Sequence, residues 1–133
     1  MKKVILIVVT LLLLGGCKST ATLHNSAFEE KINEIIKENR SKEIDINNLV
    51  DFTWDRAYIF PPYTTQESIN KELGISFKDP SDIEVRDDIH LIVFKHDNKV
   101  VQYAEILRRY GDLVAKHLDR ITPSDSIILI RRN

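Results

Sequence analysis

Cysteine is almost missing from this chain: Cys17 is the single one in 133 residues. No intramolecular disulfide can therefore staple the fold, and no thiolate cluster can hold a metal. Glycine and proline number four each, too few for a collagen-like or low-complexity chain, and they leave no Gly-rich loop to cradle a nucleotide phosphate. An excess of one charge is also lacking. Nineteen Lys and Arg stand against twenty Asp and Glu, a formal net charge of -1, so there is no overall basic footprint for nucleic acid. What remains is 43% hydrophobic and 29% charged, the composition of an ordinary small globular domain and not of a disordered chain.

Only one long hydrophobic run is present. Lys2 and Lys3 precede Val4 to Leu14, an apolar stretch broken only by Thr10. It suits the core of a secretory signal and falls short of the ~20 apolar residues that span a bilayer. Leu14-Gly15-Gly16-Cys17 follows at once and resembles the lipobox of bacterial lipoproteins: an aliphatic residue, two small residues and the cysteine. The resemblance implies cleavage before Cys17, a diacylglycerol on its thiol, and often a further fatty acyl chain such as palmitate on its new amine. Two or more chains anchor stably where one does not. An ordinary secretory signal followed by an incidental cysteine is the alternative. Loss of residues 1–16 leaves 117 residues of the 133, and without Lys2 and Lys3 the formal charge becomes -3. A lipidated Cys17 is unavailable for catalysis or metal binding. The expected partner is thus a membrane, held through the lipid on Cys17 on its extracytoplasmic side. In a cell with two membranes, Lys18 in place of Asp favours the outer one.

Patterning divides the chain into a signal (1–16), the lipidated cysteine with a short polar tether (17–25), and a single α+β domain (26–133). Ser26 and Glu29 form a capping-box pattern ahead of Phe28, Ile32, Ile35 and Ile36 at helical spacing, which predicts a helix over 27–40. Residues 41–51 read as an irregular connection. Phe52, Trp54, Tyr58 and Phe60 alternate with smaller residues, predicting a strand with four aromatics on one face, Arg56 among them, and an end at Pro61-Pro62. Thr64 to Glu67 offers a second capping box, for a helix over 65–73 closed by Gly74. Lys78 to Asp88 reads as an acidic loop. Ile89–Lys95 and Lys99–Ile106 flank His96-Asp97-Asn98 as a hairpin. A two-residue Asp97-Asn98 loop would pair Phe94 with Val101, Ile92 with Tyr103 and His90 with Glu105. Tyr110, Leu113, Val114, Leu118 and Ile121 fit a helical stripe, Thr122–Asp125 a turn, and Ser126–Arg131 a last strand buried on both sides. The expected fold is α+β: a four-stranded antiparallel sheet with two or three helices.

Catalytic and metal constellations fail on spacing. His90 and His96 are ~20 Å apart along a strand and cannot share an ion that needs both within ~2 Å. His24 falls in the tether and His117 in the uncertain stripe. Asp51 and Asp55 would lie ~13 Å apart in a strand, outside the range of a glycosidase pair. The loop from Asp79 to Asp88 is broken by Pro80 and Arg86 and lacks the pattern of a calcium loop. Neither G-x-S-x-G nor H-E-x-x-H occurs. No catalytic residue, metal or cofactor is therefore assigned. Arg108, Arg109, Lys116, Arg120, Arg131 and Arg132 concentrate positive charge late in the chain, either as scattered surface charge or as a face toward anionic headgroups or wall polymer.

The most distinctive stretch is Trp54-Asp55-Arg56-Ala57-Tyr58-Ile59-Phe60-Pro61-Pro62-Tyr63-Thr64. It resembles a W-D-x-x-Y-x-F-x-P-Y-T segment of small bacterial lipoproteins and secreted proteins to which no activity is assigned, so the resemblance implies an envelope protein and no reaction. The bland reading of the stretch is a core strand feeding a rigid turn. As a candidate interaction surface it offers Asp55, Arg56, Tyr58 and Tyr63. Two functions follow: a membrane-anchored, non-enzymatic domain that binds an envelope protein or wall component, or a small hydrolase-like envelope enzyme whose residues meet only in three dimensions. A pocket gathering Asp55, His90 and Glu105 would favour the second.

Overall fold

In a computed structural model of the chain, residues 22–117 and 121–132 are described. The signal, Cys17, Lys18 and the first part of the tether lie outside the described residues, as do Leu118 and Arg120. The elements in chain order are β1 (Leu23–His24), α1 (Ser26–Glu38), β2 (Glu43–Asp45), a 3₁₀ turn (Ile46–Asn48), β3 (Arg56–Phe60), α2 (Gln66–Leu73), a second 3₁₀ turn (Ile83–Val85), β4 (Ile89–His96), β5 (Lys99–Leu107), β6 (Asp112–Ala115) and β7 (Ile127–Arg131). They build two sheets, one ordered β1-β5-β4-β3 and the other β2-β7-β6. The α+β class holds. The single antiparallel sheet does not: there are two sheets, and β1 runs parallel to β5 in the larger.

Strand β4 organises the packing, with seven of its eight residues buried. Ile92 and Phe94 point into a core shared with Phe28, Ile32 and Ile36 of α1 and with Ile44, Leu113, Ile128 and Ile130 of the smaller sheet. Leu91 and Val93 point the opposite way, into a second core with Phe60, Ile69 and Leu73. Both faces of the larger sheet are therefore covered, one by α1 and the second sheet, the other by α2 and its following loop. Three aromatic rings converge edge-on upon Phe94: Phe28 at 5.4 Å, Phe52 at 5.0 Å and Trp54 at 5.6 Å between centroids.

Both helices start where a polar side chain can satisfy a free backbone N–H, each one residue away from the expected place. Asn25, not Ser26, caps α1, its Oδ1 accepting from Phe28 N at 2.9 Å. Glu29 is released from the expected capping box and instead accepts the Glu105 N–H at 2.7 Å. Asn39 ends α1 in the left-handed region, φ 54°, which Asn tolerates. The Arg132 guanidinium donates to Ile36 O and Ser41 O, both at 3.1 Å, a cation placed where the helix dipole favours it. Thr65 caps α2 through Ser68 N, and Gly74 closes it at φ 69°.

The hairpin forms as expected at its tip: Asp97 and Asn98 both take positive φ, 48° and 59°, as a type I′ turn requires. Its register then departs from the expectation. Lys95 pairs with Val100 but Phe94 pairs with Gln102, so Val101 is an extra residue in a bulge. Every pair beyond it shifts by one. Ile92 opposes Ala104, Val93 opposes Tyr103 and His90 opposes Ile106, and Tyr103 turns to the α2 side with Phe77 at 6.4 Å. The expected His90–Glu105 cross-strand pair does not form.

Other corrections follow from tertiary packing. The aromatic stretch is a strand only from Arg56, and the bend before it sends Phe52 and Trp54 into the first core while Tyr58 and Phe60 serve the second. Residues 43–45 are a strand because Ile44 fills the first core beside β7. The expected helix over 110–121 is instead β6, paired with β7 from Asp112 to Ala115. Gly111 lets the chain turn there: a Cβ at this position would meet Ile130 Cγ2 at 3.1 Å and both Arg131 O and Ile36 Cγ2 at 3.3 Å. In β7, Ile128 and Ile130 are buried while Ile127 and Leu129 are only half-buried. Leu23 and His24, read from sequence as tether, belong to the larger sheet.

If the two cores depend on β4 in this way, Phe94→Ala should lower unfolding free energy by about 3–5 kcal/mol in urea titration. Val85→Ala, at an exposed position, should stay within about 0.5 kcal/mol of the parent. Comparable midpoints for the two variants would contradict the packing described.

Candidate functional site

Where the ends of β4, β5 and β6 meet, three polar side chains form a relay. His90 Nε2 lies 3.2 Å from Asp112 Oδ1. Arg108 Nε donates to the same oxygen at 2.7 Å and Arg108 Nη1 to Asp87 O at 2.6 Å. His90 is only 6% exposed, and its Nδ1 is enclosed without a hydrogen-bond partner. Burial pushes the imidazole below its ordinary pKa, and the Asp112 carboxylate offsets this only in part. The Arg108 guanidinium, helped by His90, holds the Asp112 carboxyl below the usual carboxylate value. The relay thus contains a neutral imidazole and an ionised carboxylate already committed to an arginine.

His90 also lines a groove of about 710 Å³ between β3 and β6, together with Arg56, Tyr58, Glu72 and Leu113. Among the described residues, no serine, threonine or cysteine lines it. Among the described residues, the hydrogen-bonded partner of the imidazole is Asp112, an oxygen of which Arg108 also holds. Chemically, then, the arrangement is a polar seam that joins the two sheets. A second groove, of about 890 Å³, opens beside β1 and the hairpin tip and is lined mainly by apolar groups, Leu23, Phe52 and Phe77 among them.

Of the four residues proposed from the aromatic stretch, Arg56 and Tyr58 line one groove together, while Asp55 and Tyr63 have other surroundings. Asp55 Oδ2 accepts the Asp97 N–H at 2.8 Å and so braces the hairpin turn. Tyr58 is half-buried, stacked at 6.2 Å on Phe60. Arg56 is exposed and is not the cation among the aromatics. That place is taken by Lys95, buried, with Nζ 5.9 Å from the Tyr58 ring centroid and donating to Leu73 O at 2.5 Å. Tyr63 is 62% exposed at φ 62° and lies beyond the other end of β3 from Arg56, so the two do not share one patch.

Asp55, His90 and Glu105 do not converge. Asp55 serves the hairpin turn, His90 the seam, and Glu105 Oε1 accepts from Arg86 Nη1 at 2.6 Å. Arg86 also holds both oxygens of Asp88, at 2.9 and 2.8 Å. That pairing raises the guanidinium pKa and lowers that of the Asp88 carboxyl. Asp79 in turn accepts from Ser81 N, Ser81 Oγ and Ile83 N, at 2.8, 2.6 and 2.9 Å, so the acidic loop is a hydrogen-bonded structure. Of the late cationic residues, Arg108, Lys116 and Arg132 are committed to partners within the domain, and Arg109 lies 5.0 Å over the Tyr110 ring. Among the described residues, Arg108, Arg109 and Arg132 line one groove together with Asp87, Asp88 and Asp112, so positive and negative charge are mixed there.

Two groups of side chains could hold a metal among the described residues: His24, Glu29 and Glu105, and Asp55, His96 and Asp97. Sequence spacing missed the first because its members come from β1, α1 and β5. Its only local signal was Glu29, one helical turn past the helix-capping Asn25 that follows His24.

No family model matches this chain, and no curated protein or solved structure matches it either. Function must rest on its own residues.

The seam has a pH signature. The unfolded chain protonates His90 near pH 6.5, whereas the folded imidazole protonates only at lower pH. The unfolded state therefore binds more protons in that window, and stability falls as pH drops below ~6.5. Asp112 acts in a separate, more acidic window, because its stabilisation is present above the ordinary carboxylate value and lost below it. Urea midpoints measured from pH 8 to 5 should decline less steeply in His90→Gln, which keeps a donor toward Asp112 but does not titrate. Identical slopes would remove His90 from this role.

Proposed function

We propose that the chain is a membrane-anchored cell-envelope lipoprotein whose single domain is a non-enzymatic binding module. One observation carries the anchoring: Lys2-Lys3, the apolar run Val4–Leu14 and Leu14-Gly15-Gly16-Cys17 fall in the order that lipidation requires. Among the described residues no helix is long and apolar enough to cross a membrane, so attachment in this reading depends on the acyl chains of Cys17. Its site is the extracytoplasmic side of the cell membrane or, where there are two, the outer membrane.

The place where the domain begins supports a close approach to lipid. Thr22 Oγ1 already donates to Val100 O at 3.3 Å, and five peptide units from Cys17 to Thr22 reach at most ~18 Å. The edge of the larger sheet bearing β1 is thus held within a short distance of the headgroups. The binding-module reading, with an envelope protein or wall component as partner, is supported by what the domain offers: exposed Arg56 and Tyr63, and open grooves. The pocket gathering Asp55, His90 and Glu105 that would have favoured the hydrolase-like alternative does not form.

Metabolic labelling with a fatty acid should mark the wild type in the membrane fraction, and Cys17→Ala should abolish both label and fractionation. Membrane association that survives the substitution would overturn the anchoring. For the binding module, in-cell crosslinking should recover a partner that is lost on Arg56→Ala or Tyr63→Ala while the far-ultraviolet spectrum is unchanged. Turnover of a small envelope substrate without such a partner would favour an enzyme instead.

A further inference from the structure

We propose that His24, Glu29 and Glu105 form a site for a divalent d-block cation, with Zn²⁺ the best match to its donors. The proposal goes beyond the binding-module reading and does not rest on it. The three residues lie on β1, the first turns of α1 and β5, and their donor atoms all fall within 4.8 Å of one another. His24 Nε2 touches Glu29 Oε1 and lies 3.7 Å from Glu105 Oε2. Tetrahedral ligands with bonds of 2.0–2.1 Å sit ~3.4 Å apart, so side-chain adjustments of about an ångström would seat an ion with no backbone change.

Each donor is already oriented by a neighbour, as metal ligands commonly are. The His24 ring stacks on Tyr103 at 4.8 Å and 5°, which fixes the plane in which Nε2 points. Arg86 Nη1 occupies Glu105 Oε1 at 2.6 Å and leaves Oε2 turned toward His24. The Glu105 N–H holds the Glu29 carboxylate in place at 2.7 Å. Two carboxylates neutralise a divalent ion.

Donor chemistry selects the class of ion. One imidazole with two carboxylates suits zinc and its neighbours, whereas calcium calls for six to eight oxygens. His24 is partly exposed, so a fourth position is open to water. The other acidic group differs in a decisive respect. The nearest approaches of His96 are through Nδ1 to Asp55 at 3.6 Å and through Nε2 to Asp97 at 3.2 Å, on opposite edges of the ring, whereas in the first group Nε2 of His24 makes both nearest approaches. An ion at the first group would tie β1, otherwise paired only through Leu23 and His24, to α1 and β5 at once.

The test uses the full chain in detergent, stripped with a chelator and titrated with Zn²⁺ by calorimetry, and with Co²⁺ by visible absorption. The wild type should bind one ion per chain with the Co²⁺ spectrum of a low-coordinate nitrogen and oxygen site, and should melt at higher temperature with Zn²⁺ present. His24→Ala should weaken binding by ~100-fold or more and abolish the thermal shift, while His96→Ala should change neither. Glu105→Gln, which keeps an acceptor for Arg86, should weaken Zn²⁺ in the same way and guards against misfolding of the His24 variant. Absence of saturable binding by the wild type, equal affinity after His24→Ala, or loss of binding on His96→Ala would each overturn the site.

Discussion

A strand buried on both faces needs two coverings, and the architecture of this domain follows from meeting that need for β4. Seven apolar or enclosed residues in a row leave no side that water could solvate, and an uncovered face would forfeit roughly 25 cal/mol for each Å² of apolar surface left wet. Helix α2 and its loop cover one side compactly. The other side is wider, and α1 alone does not fill it. The smaller sheet completes the covering, contributing Ile44, Leu113, Ile128 and Ile130. The C-terminal third is therefore extended because the core on that side required a sheet, even though its local spacing also suits a helix.

How much of this was legible in the sequence depended on whether an element's signal was local. Helices α1 and α2, the Asp97-Asn98 turn and the Thr122–Asp125 turn all carry their instructions within a few residues, and their positions could be read to within a residue or two. The bulge at Val101 could not. Nothing distinguishes Val100-Val101 from a regular pair until Phe94 and Tyr103 have competed for places in two cores. Strands β1 and β2 were hidden for a related reason: at two and three residues they are too short for periodicity, and exist only because β5 and β7 are there to pair with. For the candidate sites, charge spacing along the chain indicated separate acids and bases. It could not show that Asp55 would serve a turn, that Lys95 and not Arg56 would sit over Tyr58, or that His24 would reach Glu105.

The polar residues inside this domain mostly secure junctions. Arg86 spans the acidic loop and β5, Arg108 joins the loop to β6 through Asp112, and Arg132 closes the end of α1. Each guanidinium makes several hydrogen bonds in a fixed fork, a task for which the flexible ammonium of lysine is less suited. Of the late cations that looked like a surface feature in the sequence, Arg108 and Arg132 are fasteners of this kind, while Arg109, Lys116 and Arg131 are exposed. Arg56, Tyr63 and Leu23 are exposed and are not among these fasteners.

The pairing of β1 with β5 also decides how the domain responds to mechanical load. Any pull on the chain N-terminal to Thr22 reaches the fold first through the Thr22 hydrogen bond to Val100 O and then through Leu23 and His24, two residues at the sheet's edge and parallel to their neighbour. Such a strand can peel away while the cores around β4 remain intact, since neither Leu23 nor His24 belongs to them. Its release would lengthen the leash by about 10 Å, at ~3.3 Å per residue through Asn25. The edge strand is thus the part of the sheet that a tug on the N-terminal side would meet ahead of the interior around β4.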